Sequence, residues 1–75
     1  MLTFEWDKDA ERMEIHTDKA GLLGLIAQLS ELAESDGQDH LHLMTEAWGG
    51  GDLTGEPQNE DAVFMNQVKI FKWDD

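Results

Sequence analysis

Residues 17–37, "TDKAGLLGLIAQLSELAESDG", decide the fold, because they are the only part of the chain with a helical period. Leu22, Leu25, Ile26, Leu29, Leu32 and Ala33 return every three or four residues, which gathers them into one stripe. Thr17 or Asp18 offers an oxygen to the free amides at the start, and Gly37 offers a left-handed stop at the end. The spacing predicts one amphipathic helix of about seventeen residues. Gly21 and Gly24 lower its helicity and are candidates for close approach to a neighbour.

On both sides of this helix the period changes to two. In "LTFEWD" (residues 2–7) Leu2, Phe4 and Trp6 share one face, opposite Thr3, Glu5 and Asp7. In "RMEIHT" (12–17) Met13 and Ile15 oppose Arg12, Glu14 and His16, so the two runs predict a hairpin across the polar "DKDAE" turn. After the helix, "DHLHLMT" (39–45) sets Leu41 and Leu43 against His40, His42 and Met44. "VFMNQVKIFKWDD" closes the chain as a strand with a loose first turn, dividing Val68 and Ile70 from Lys69, Phe71 and Trp73. The order strand, strand, helix, strand, strand predicts a two-layer α+β domain over residues 1–75, with one helix on a mainly antiparallel four-stranded sheet. With a single helix available, the face bearing His40, His42, Phe71 and Trp73 is expected to lie open as an interface.

Charge limits the partners. Seventeen acidic residues against five basic ones give −12, divided equally between residues 1–37 and 38–75. Such a field repels nucleic acid phosphates and anionic membranes and attracts cations or basic proteins. No cysteine is present, which removes disulfides and thiolate metal sites and fits a reducing, cytoplasmic setting. The opening "MLTFEWDKD" has no basic leader before an apolar core, so no signal peptide is expected. The apolar run Ala20–Ala33 is too short to cross a bilayer.

The connection "EAWGGGDLTGEPQNEDA" (46–62) holds four glycines and the acids Glu46, Asp52, Glu56, Glu60 and Asp61, with no base. Loops of this length are uncommon inside a small domain and tend to serve function. Trp48 followed by Gly49, Gly50 and Gly51 permits a sharp turn with the indole over an edge, either as a plug for the core or as an interface anchor. Catalysis finds less support. His40 and His42 could join His16 and Asp52 around a metal, yet side chains two apart on a strand diverge and no HExxH spacing occurs. The glycines are no phosphate cradle, since no GxxxxGK[ST] is present and no lysine or arginine lies between Lys19 and Lys69. No catalytic residues, metal or cofactor are therefore expected.

"HLHLMTEAWGGGDL" (40–53), together with "VKIFKW" (68–73), resembles the immunity protein 32 family of bacterial polymorphic toxin systems. His42, Trp48 with Gly49 and Gly50, and Trp73 stand at the matching positions, and the similarity runs from about Arg12 to Trp73. The resemblance implies an α+β protein that binds and neutralises a cognate toxin in the producing cell. Combined with the acidity, it places the partner surface on His42, Trp48, Asp52, Glu56, Glu60, Asp61, Phe71 and Trp73, facing a basic toxin domain. The other reading is a small acidic structural or regulatory module, a homodimer through the outer sheet face.

Overall fold

The computed structural model describes residues 1–74. Its elements run β1 (Leu2–Asp7), β2 (Arg12–Thr17), α1 (Lys19–Glu34), β3 (Asp39–Met44), a 3-10 turn (Glu46–Trp48), β4 (Val63–Phe64) and β5 (Gln67–Lys72). β1 and β2 form the expected antiparallel hairpin, with Phe4 opposite Ile15 and Trp6 opposite Met13. Asp7 shapes its turn, accepting bonds from the Asp9 and Ala10 amides at 3.2 and 3.1 Å. α1 is capped by Asp18, which accepts from the Gly21 amide at 2.8 Å. Its end differs from expectation. The helix stops at Ser35 in extended backbone, with the Ser35 hydroxyl donating to the Leu32 carbonyl. Gly37 is left-handed, but it serves the turn into β3. Gly21 is required for packing, since a Cβ there would lie 2.1 Å from the Met1 carbonyl oxygen.

The sheet is not the single four-stranded one that the strand count suggests. One helix packs against two antiparallel sheets, ordered β2-β1-β4 and β3-β5. The physical reason lies in the closing segment, which changes partners part-way along. Val63 and Phe64 pair with Trp6 and Glu5 of β1, whereas Gln67–Lys72 pair with β3. Between them, the Met65 amide donates to the Phe4 carbonyl at 2.8 Å. One residue later, Asn66 turns to β3, accepting from the Thr45 amide at 3.0 Å and, through Oδ1, from the Thr45 hydroxyl at 2.8 Å. A second stitch joins the sheets through the long connection. The Leu53 amide donates to the Met44 carbonyl at 3.1 Å, and the Thr54 amide donates to the Leu2 carbonyl at 2.8 Å.

These stitches bring Leu53 into the core beside Leu2, Phe4, Leu25 and Leu43, with Leu41, Met65, Val68 and Ile70 packed around them. Leu43 is fully enclosed. Leu43→Ala should therefore cost about 3 kcal/mol, because the surrounding side chains belong to both sheets and the helix and cannot close on the void together. Urea denaturation followed by tryptophan fluorescence measures it. A loss below about 1 kcal/mol would contradict this packing.

Candidate functional site

The side of the two sheets turned away from α1 holds two different surfaces. On the β3-β5 sheet, alternation sends His40, His42, Lys69 and Phe71 outward, with His40 opposite Phe71 and His42 opposite Lys69. The rings form a ladder. His42 and His40 lie 4.8 Å apart between centroids, His40 stacks on Phe71 at 5.3 Å, and Phe71 stacks on Trp73 at 6.3 Å. Phe71 is 54% exposed and Trp73 68%, so among the described residues no element covers the ladder. Gln38, Asp39 and Lys72 complete a shallow pocket beside it. The Lys72 ammonium is held by the Ser35 carbonyl at the end of α1. The outward positions of these two strands carry imidazoles and a lysine and no carboxylate, so the acids expected on this face come from elsewhere.

They come from the connection, which lies over the helix-free face of the other sheet. There the expectation of an uncovered sheet fails, because Gln58 and Asn59 close it. The agent is Glu5, a carboxylate with no exposed surface. Its oxygens accept the Thr3 hydroxyl, the Gln58 amide at 3.0 and 3.1 Å, and the Asn59 amide at 3.0 Å. His16 Nε2 stands 3.9 Å away and bonds Glu14 at 2.8 Å, while Asn59 Nδ2 donates to Glu14 at 3.1 Å. Burial pushes the Glu5 carboxyl upward, but the Thr3, Asn59 and Gln58 bonds and the field of His16 outweigh it and hold it below the usual range. Glu14 is lowered first by its bond from His16, then by Asn59 and Arg12. Among the described residues no buried side-chain nitrogen or oxygen lacks a partner.

The residues singled out in the sequence are thus divided among three places. His42, Phe71 and Trp73 belong to the ladder. Glu56, Glu60 and Asp61 project from the covering segment and are exposed. Asp52 instead turns toward α1, accepting from Gln28 Nε2 at 3.4 Å. Trp48 is 56% exposed on the 3-10 turn and therefore does not plug the core. Gly49 ends that turn with φ +94°, and Gly50 passes so close to Met44 that a Cβ would lie 2.6 Å from its carbonyl oxygen. Gly51 faces open space and shows no such requirement. His16 does not join His40 and His42, because it sits on the other sheet. Among the described residues no group of three or more His, Asp or Glu side chains could hold a metal ion. No helix among them is long and apolar enough to cross a membrane. Glu5, Thr3, Glu14 and Asn59 were missed as a cluster. The available signal was Thr3 and Glu5 on one strand face, with nothing in the helix to cover them.

Comparison with protein-family models finds immunity protein 32 over residues 12–66. The chain belongs to the immunity protein 32 family. It is a toxin-neutralising immunity protein, and it acts by binding rather than by catalysis. Neither the curated proteins nor the solved structures gave a match. The matched region contains His42, Trp48 and the Glu5-bound segment, while Phe71 and Trp73 of this immunity protein lie beyond it.

The lowered pKa of Glu5 fixes the sign of an acid effect. A carboxyl more acidic in the folded than in the unfolded chain stabilises the fold above the ordinary value of about 4.3 and ceases to do so as the pH falls through the folded value. Amide exchange at Gln58 and Asn59 should accelerate in that acid window before the core amides exchange. Glu5→Gln should produce the same acceleration at pH 7 with a loss of about 2 kcal/mol. Unchanged Gln58 and Asn59 exchange in the variant would refute Glu5 as the anchor.

Proposed function

We propose that this immunity protein grips a basic toxin domain with its helix-free side, the aromatic ladder supplying the anchors and the 46–61 segment supplying the field. The observation that carries the reading is the exposed stack of His40, Phe71 and Trp73. Large rings left in water lose nothing on transfer to a partner's pocket and contribute most of the energy of such contacts. Stacking on one another also restricts their rotamers, so less freedom is lost on binding.

Attraction falls to the loop. The ladder carries Lys69 and two imidazoles, whereas Glu56, Glu60 and Asp61 stand exposed on a segment tied to Glu5 by two backbone amides. A tethered row of carboxylates keeps its field in a constant direction, which favours rapid encounter with a cationic surface. Trp48 lies at the start of the same connection and adds a further exposed ring. Asp52, bound to Gln28, has a smaller share in this reading.

Two classes of variant separate anchors from field. Trp73→Ala should weaken toxin binding by about 2 kcal/mol, roughly thirtyfold, mainly through faster dissociation. Reversing Glu56, Glu60 and Asp61 to lysine should slow association at least about tenfold at low salt and flatten its salt dependence. Surface plasmon resonance with the cognate toxin domain reads both. Full affinity in both variants would remove this face from the interface.

A further inference from the structure

The helix α1 is less well buried than its sequence warrants. Its apolar stripe divides in the structure. Leu25 and Leu32 enter the core, with Leu25 only 7% exposed, whereas Leu22, Ile26 and Leu29 remain between 38% and 50% exposed. These three residues, followed by Ala33, are spaced four, three and four apart, and Ile26 alternates with leucine at that interval. That is the seam of a two-stranded helix pair. Leu23 extends the surface, and Met13 and Ile15 continue it on β2, on the same sheet face as Leu2 and Phe4.

Charge says what can cover it. Residues 20–30 contain no ionisable side chain, in a chain whose net charge is −12. Such a face offers a cationic toxin no electrostatic attraction. A second copy of this chain can meet it without opposing carboxylates along residues 20–30, which suits the contact of two strongly acidic molecules. Size agrees. The accessible surface is 5280 Å², against about 4,700 Å² for a folded monomer of 8.5 kDa. The radius of gyration is 13.1 Å, against about 11.3 Å for 75 residues. Burying the surplus of roughly 600 Å² on each chain gives about 1,200 Å², the lower bound of a stable interface.

We propose that this immunity protein is a two-fold homodimer through α1, in which Ile26 meets its counterpart and Leu22 and Leu29 pack beside it. The pairing completes a core too small in one chain. It leaves the ladder and the acidic segment, on the other side of the sheets, free in both copies. The proposal is independent of which surface the toxin takes.

Sedimentation equilibrium of the full chain, from about 1 μM to about 500 μM, should give twice the 8.5 kDa of one chain. Raising salt from about 50 mM to about 500 mM should tighten the dimer, since screening weakens the mutual repulsion of the acids. Ile26→Glu should weaken association at least about tenfold with unchanged helical circular dichroism. Because the chain has no cysteine, Ile26→Cys provides a second, milder reading. It should form an interchain disulfide on oxidation, while Phe71→Cys should not. A mass of one chain throughout, a dimer indifferent to Ile26→Glu, or cross-linking through Phe71→Cys in preference to Ile26→Cys would each overturn the proposal.

Discussion

A buried carboxylate organises this protein. Glu5 lies on a strand at the centre of its sheet, where a bare negative charge would be very costly, and every acceptor site it offers is met by a donor from β1 or from the connection. The bonds work in both directions. They make the charge tolerable inside, and they convert a glycine-rich, acidic segment from a loose loop into a lid with a fixed course. The same lid brings Leu53 to the core and Thr54 to the β1 edge, so the two sheets are joined partly by chain that the composition alone would class as linker.

The helix-free side consequently has two characters. Over β1 and β2 it is closed by polar chain, and over β3 and β5 it is an open row of rings. The difference follows from the connection's reach. It must return from Thr45 to Val63 at the β1 edge, and that route passes over Glu5 and away from Phe71. An immunity protein needs a surface that is exposed before its partner arrives and does not collapse on itself. In the proposed reading the stacked ladder on paired strands is that surface, and strand geometry holds its rings apart from the core.

Much of this was legible in the residues. Periods of two and three to four located β1, β2, α1 and β3, and parity placed His42 and Phe71 on one outward face. The family was legible from the stretch 40–53, which falls wholly within the matched 12–66. The single sheet was not, because residues 63–72 read as one strand, and the shift of the core-facing side from Met65 to Val68 and Ile70 is marked in the sequence only by the asparagine at 66. The helix stop was misplaced by two residues because Gly37 and Ser35 offer competing ends, and Ser35 closes first on Leu32. The role of Glu5 was hidden by number. Among seventeen acids, only the fold reveals which one is enclosed.

The partner change at Asn66 bears on how the molecule comes apart. A continuous ribbon from Val63 to Lys72 serves as the border of one sheet and then of the other, so neither sheet can shed it without loosening its neighbour. Thermal or mechanical opening at either end therefore travels through that hinge, and the two sheets melt as one.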